Sequence, residues 1–461
     1  MQRLLAITWL TWKAALRYRL FIVVTVLLLG AVVGLPLLIK DDGTARGFTQ
    51  IVLTYTLGTI TALLGLCTLW LACGTLARDI EECQMQVVAT KPIARWQIWL
   101  GKWLGIMSLN GVLLALSGAC VFGLLVFRAS RLPADQQQVL RSEVLVARGS
   151  AKPPQADAEI ERRTEELLQE RLRKIRVEKA DLQEVRNQVR EQVKAAYQLV
   201  PPGYTRTWQI DLGSAARRLR GKPLTLRVKF NTAEGTSAGT FGGVWLVGVP
   251  RQTKLWRSEV LSLASDTFHE IQLEPDLFDD KGILTVNFVN PNETALLFPL
   301  NEGIEVLYPE GTFGLNFTRG LGIIFCWMAL LAAIGLAAAS FLSFPVAAFV
   351  ALGMLAVVFS TTTMSSAVEE GTIANYNAEK GTKGWSPADV VVIPMFKAIL
   401  KIISLAKEFS PIDSLSTGRS ITWTQLGFAF AQVVLLLGGI AALFGMTVFT
   451  RRELATAQGT Q

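Results

Sequence analysis

Six stretches of this chain are apolar over about the length of a membrane span, and they gather toward its two ends. They run from Leu20 to Ile39, Ile51 to Ala77, Leu104 to Phe127, Leu321 to Phe341, Phe344 to Thr362 and Leu426 to Phe449. A bilayer's hydrocarbon core takes roughly 20 mostly apolar residues as a helix, because no water is present there to satisfy backbone groups. Each stretch therefore predicts a transmembrane helix, six in all. The fourth and fifth are divided at Ser343-Phe344-Pro345, where Pro345 disfavours a continuous helix. The first stretch follows a basic start, as a signal peptide would. It is longer than the usual apolar core of one, and no convincing small-residue cleavage site follows Pro36, so it is read as a retained helix.

Polar positions divide the remainder. From Met1 to Arg19, the bulky residues Leu4, Leu5, Ile7, Trp9, Leu10, Trp12 and Leu16 interleave with Arg3, Lys13, Arg17 and Arg19. That pattern predicts an amphipathic helix on the cytoplasmic membrane surface, the alternative being an extension of the first span. Residues Arg128 to Phe317 form a polar insertion in two parts. Ala156 to Gln198 lacks Gly and Pro, and Leu168, Ile175, Leu182, Val189 and Ala196 recur every seven residues. One or two long amphipathic helices are expected there, either packed on a neighbouring domain or paired as a coiled coil.

Beyond Pro201 the period changes to two. Thr207–Leu212, Leu224–Phe230, Gly243–Gly248, Phe268–Leu273, Ile283–Val289 and Gly303–Tyr308 are candidate strands, many alternating apolar with polar and bounded by Gly, Asn, Asp or Pro. They predict an antiparallel β-sandwich, jelly-roll-like by pattern, with no assignable aromatic platform for a sugar. Late in the chain, Val390 to Ala406 reads as a surface helix on the outer leaflet. Its Lys397, Lys401 and Lys407 lie on the side that the positive-inside rule disfavours. The expected organisation is a membrane half over residues 1–127, a helical or coiled-coil segment over 128–200, a β-sandwich over 201–317 and a second membrane half over 318–461.

Composition agrees: 51% of the 461 residues are hydrophobic and 18% charged, which is too apolar for a soluble protein of this length. The net charge of +8 suggests nucleic acid until the cations are located. Arg3, Lys13, Arg17 and Arg19 precede the first span; Arg78, Lys91, Arg95 and Lys102 lie between the second and third; Arg451 and Arg452 follow the last. Six spans with both termini inside put all three groups in the cytoplasm, so the charge reports membrane orientation.

Few residues here can do chemistry. The single histidine, His269, sits in a candidate strand and is expected to be exposed there, and no Gly-x-Ser-x-Gly elbow accompanies it. Cys67, Cys73, Cys120 and Cys326 fall within predicted spans and Cys83 between two of them, with no Cys-x-x-Cys spacing. No catalytic residue, metal site or cofactor is expected. The phosphate-cradling Gly-x-x-x-x-Gly-Lys-Ser/Thr is also absent, so any ATP would be bound by a partner subunit. Asn110, the clearest polar residue within a span, is expected to bond a neighbouring helix.

The segment from Arg78 to Lys102 is the most informative cytoplasmic one. It holds acids (Asp79, Glu81, Glu82), cations (Arg78, Lys91, Arg95) and a turn at Pro92. Such a segment can take force from a soluble partner, or it can be a solvated connector.

Three features resemble the permease subunits of ABC-2 type exporters, including those associated with multi-copper enzyme maturation. One is the basic interfacial helix before the first span. Another is Arg78-Asp79-Ile80-Glu81 followed by Thr90-Lys91-Pro92-Ile93-Ala94-Arg95 and Leu100-Gly101-Lys102. The third is Phe409-Ser410-Pro411 to Gly418, a final span, and Phe449-Thr450-Arg451-Arg452-Glu453-Leu454. The resemblance covers somewhat over half the chain. It implies a multi-pass protein of the bacterial inner membrane, dimeric with a second copy or a related permease. It also implies a separate cytoplasmic ATPase bound through Arg78, Asp79, Glu81, Glu82, Lys91, Pro92 and Arg95. The insertion between spans three and four is far larger than that family's usual loop. It would stand outside the cytoplasm, free to engage envelope glycan or protein.

Overall fold

The longest apolar runs fold as helices, and the alternating segments fold as sheets. The computed structural model describes residues 2–17, 19–38, 44–85, 93–154, 156–174, 182–232, 239–300, 302–370, 388–407 and 409–452. The chain divides into a helical unit, Met1–Ala147 with Gly311–Gln461, and a second unit, Arg148–Glu310.

In the helical unit the main elements are α1 (Gln2–Arg17), α2 (Arg19–Leu38), α3 (Ala45–Glu81), α4 (Arg95–Ala129), α5 (Phe313–Ala339), α6 (Phe344–Phe359), α7 (Asp389–Lys407) and α8 (Trp423–Arg451). Among the described residues, four helices are long and apolar enough to cross a membrane: α3 from Gly47, α4, α5 and α8. A fifth is added if α1 and the stretch Phe21–Pro36, bent 77° from it, make one broken span. The apolar run from Phe344 does not continue as one helix to Thr362. α6 has 16 residues and ends at Phe359, with a separate helix, Thr361–Glu370, after it.

Helix starts follow local chemistry. Thr44 caps α3 by accepting from the Gly47 amide at 3.1 Å, and Thr422 caps α8 by accepting from Gln425 at 3.1 Å. Pro345 opens α6, where the missing N–H costs nothing.

Small residues set how closely the helices approach. A Cβ on Gly335 would lie 2.6 Å from that of Ala72, and one on Gly445 2.8 Å from the Cα of Ala337, so α5 meets α3 and α8 nearly backbone to backbone. Asn110 donates to Thr68 Oγ1 at 2.8 Å between α4 and α3, the interhelical bond expected of it. α1 lies on α4: Trp12 Nε1 donates to Ser108 Oγ at 2.8 Å and Thr8 Oγ1 to the Gly101 carbonyl at 3.2 Å. A Cβ on Gly105 would fall 2.6 Å from the Thr11 Cβ. Gly105→Val therefore pushes α1 off α4 and costs about 1–3 kcal/mol. Gly123→Val, in the same helix with nothing within 4 Å, is the control. Thermal unfolding of the two variants in detergent is expected to separate them.

All six candidate strands are present, among twelve in the described residues: β1 (Val146–Ala151), β2 (Leu199–Val200), β3 (Thr205–Asp211), β4 (Leu224–Val228), β5 (Asn231–Thr232), β6 (Thr240–Val247), β7 (Trp256–Arg257), β8 (Leu261–Ala264), β9 (His269–Leu273), β10 (Ile283–Val289), β11 (Leu296–Leu297) and β12 (Ile304–Thr312). The sheets run β1-β12-β4-β9, then β3-β10-β6-β7 with β8 beside β6, then the short β2-β11-β5. In register, Val286 of β10 lies opposite Trp208 on one side and Val247 on the other, both antiparallel.

Residues from the first two sheets share one core. Leu224, Leu226 and Val306 come from one, and Ile210, Trp245 and Phe288 from the other. The arrangement is sandwich-like. His269 is not exposed as expected: it is half-buried, and its Nε2 is bonded to the Ala264 carbonyl at 2.8 Å and Thr267 Oγ1 at 2.9 Å, because the β8–β9 turn folds back onto it.

Before this sandwich, helices Asp157–Lys174 and Leu182–Gln198 pack together through Ile160, Val189 and Val193. Of the seven-residue series, Leu168 and Val189 are buried, Ala196 is exposed, and Ile175 lies outside the described residues.

Candidate functional site

The coupling residues expected from sequence converge on one end of the helical unit, though not as a loop. Arg78, Asp79 and Glu81 complete the last turn of α3, and Arg95 opens α4, so the connector is shorter than residues 78–102. Lys91 and Pro92 lie outside the described residues, as do Glu453 and Leu454.

Five of these helices are stitched together here. Arg95 Nη1 donates to the carbonyls of Thr450 at 2.9 Å, Arg452 at 2.7 Å and Phe449 at 3.3 Å. The last turn of a helix leaves carbonyls without intrahelical partners, and a cation there also suits the helix dipole. Arg452 Nη1 in turn donates to the carbonyl of Ser340, the residue closing α5, at 3.1 Å. Four residues on, the Phe344 amide at the start of α6 donates to Glu81 Oε1 at 2.8 Å. The guanidinium of Arg78 lies 4.4 Å from the centre of the Phe344 ring, and Trp70 meets that ring edge-on at 5.2 Å.

Asp79 closes the circuit. Lys102 Nζ donates to Asp79 Oδ2 at 2.5 Å and to the Thr75 carbonyl at 2.8 Å. Lys102 reads in sequence as a cytoplasmic cation at the entry to a span, yet only 7% of its side chain is exposed, against 26% for Asp79. The path thus runs α4 to α8 through Arg95, α8 to α5 through Arg452, α5 to α6 along the chain, α6 to α3 through Glu81, and α3 to α4 through Asp79.

What stays open to solvent lies just outside this ring. Glu82, Cys83 and Gln84 are exposed, with Gln84 Nε2 donating to Glu82 Oε2 at 2.7 Å, and Trp96 on the first turn of α4 is 49% exposed. Cys83 has φ +56°, a left-handed turn that stops α3. The seven expected residues thereby divide. Arg78, Asp79 and Arg95 are half-buried against other helices, Glu81 is exposed but tied to the start of α6, and Glu82 is exposed with Gln84 as its partner.

Sequence reasoning named Arg452 and Lys102 only as membrane-flanking cations. A basic residue at the end of an apolar run signals a helix terminus, but not whose carbonyls it caps. Among the described residues, no group of three His, Cys, Asp or Glu side chains is placed to hold a metal ion.

Comparison of the chain with protein-family models, with curated proteins and with solved structures finds no match.

Proposed function

We propose that this chain is the membrane-spanning permease subunit of an ATP-driven transporter of the ABC-2 type, in which a separate cytoplasmic ATPase acts on the ring of helix ends. The closed circuit through Arg95, Arg452, Glu81 and the Asp79–Lys102 pair carries this reading. A displacement imposed between α3 and α4 would reach α5, α6 and α8 through these contacts, each of which ties a charged side chain of one helix to another helix or its end.

In this reading the protein has six spans, α1 lies along the cytoplasmic face of the inner membrane, and α6 is a short fifth span. The second unit stands outside the cytoplasm. A second copy, or a related permease, completes the assembly. ATP is bound by the partner subunit, and the chain itself has no catalytic role. The cargo is a lipid, glycan or peptide moved outward, or the outer unit is itself driven mechanically.

The exposed group recruits the ATPase and the stitched group transmits its motion, so the two classes of variant are expected to differ. Glu82→Lys weakens co-purification of the ATPase. Arg95→Ala leaves recruitment intact but lowers permease-dependent stimulation of ATP hydrolysis by about 5- to 150-fold, the range of a 1–3 kcal/mol coupling. Co-purification and ATPase assays on both variants check this. Equal loss of recruitment in both would remove the division of roles.

A second reading, a membrane-anchored envelope protein whose β unit recognises glycan or a protein partner, is favoured by one observation: that unit has a cleft of about 400 Å3.

A further inference from the structure

The cleft of the β unit contains a cation with no anionic partner among the described residues. Arg206 and Trp208 are both on the core-facing side of β3, two residues apart, and the guanidinium lies 5.0 Å from the centre of the indole ring. Pro153, Pro154, Phe298 and Pro299 wall the cleft around them. Among the described residues, the Arg206 side chain makes neither an ion pair nor a hydrogen bond, in contrast to the paired Arg148 and Arg227 of the same unit. Burial lowers its pKa from the usual arginine value, which is the sign of lost hydration without a compensating anion. A guanidinium stays charged under all ordinary conditions, and charges taken from water are ordinarily paired. Asp157, which opens the helix Asp157–Lys174, also lines the cleft, and no ion pair joins it to Arg206 among the described residues.

We propose that this cleft binds an extended peptide segment through its C-terminal carboxylate, with Arg206 as its anion partner and the proline-lined wall as its apolar seat. Arginine offers a planar, forked set of donors that matches a carboxylate. Two observations favour peptide over saccharide. Among the described residues β3 is the end strand of its sheet, paired with β10 alone, so its other side offers backbone groups to an added strand. Trp208 is 8% exposed with Arg206 over its face, which leaves no open ring for a pyranose to stack on. The assignment does not depend on the permease reading: either of the functions above can use a peptide site in this unit.

The test uses the full chain in detergent micelles and equilibrium dialysis, with mass spectrometry of what is retained. One arm holds a pool of acetyl-tripeptides of random sequence with free C-terminal carboxylates. The second holds the same pool amidated, and the third a glucuronate disaccharide. Retention of the carboxylate pool about tenfold or more above the amide pool is expected. Arg206→Gln is expected to abolish that preference without lowering the unfolding temperature, because the arginine is desolvated and unpaired in the free protein. Equal retention of the two pools, retention of neither, or a preference that survives in Arg206→Gln overturns the proposal. So does preferential retention of the disaccharide. The comparison of pools on the unaltered chain stands even if the variant fails to fold.

Discussion

Asp79→Ala destabilises the helical unit more than Lys102→Met does, although each breaks the same ion pair. Breaking a buried pair by removing one partner costs about 3–5 kcal/mol, most of it the penalty of the charge left behind. The two charges left behind differ. After Lys102→Met the carboxylate of Asp79 remains, and with 26% of its side chain exposed it can turn toward solvent. After Asp79→Ala the ammonium of Lys102 remains with 7% exposure and, among the described residues, the Thr75 carbonyl as its acceptor. Lys102→Met therefore falls at or below the lower end of that range and Asp79→Ala toward its upper end. The double variant is milder than Asp79→Ala alone, because no charge is left behind. Thermal unfolding in detergent of the three variants measures this, and the order single aspartate, single lysine, double is the expected result. Function is expected to part from stability. The double variant folds but has lost the tie from α3 to α4, so stimulation of ATP hydrolysis stays low.

Glu305→Ala has an effect of similar size in the other unit. Arg227 of β4 lies in register between Glu305 of β12 and Glu270 of β9. Arg227 Nη1 donates to Glu305 Oε1 at 3.0 Å, and Arg148 Nη1 donates to Glu270 Oε2 at 2.9 Å. The Glu305 side chain is 3% exposed and that of Arg227 10%. Phe268 stacks over the Arg227 guanidinium at 3.8 Å, shielding it further. Removing Glu305 leaves that cation buried, at a cost of about 3–5 kcal/mol. Glu305→Gln keeps one acceptor and is expected to cost less. Because the residue belongs to the unit Arg148–Glu310, the loss should appear as faster proteolysis within that unit of the full chain, with the helical unit still resistant.

The long helices and the six main strands were legible because each rests on a local period: long apolar runs for the one, alternation for the other. Two-residue strands such as β2 and β5 are too short to show a period at all. The junction was only half legible. Arg78, Asp79, Glu81 and Arg95 stand out as charges beside apolar runs, which reads as a solvated loop. Their partners lie elsewhere in the chain: Glu81 meets a residue 263 positions away, and Arg95 carbonyls 354 to 357 positions away. No local pattern encodes such pairs. Once satisfied by other helix ends, these residues extend the helices instead of interrupting them. The same holds for the cleft of the β unit. Arg206 precedes the predicted strand by one position, and it joins Trp208 and Ile210 on the inner face because β3 begins earlier, at Thr205.

The central claim is that a separate ATPase drives the ring of helix ends. The most direct test is affinity purification of the tagged protein from its native membrane, with quantitative mass spectrometry of everything that accompanies it. The account predicts a P-loop ATPase in stoichiometric amount, depleted by Glu82→Lys and retained with Arg95→Ala. Its reproducible absence, with envelope proteins or glycan recovered in its place, would contradict the account and make the β unit the working part of the molecule.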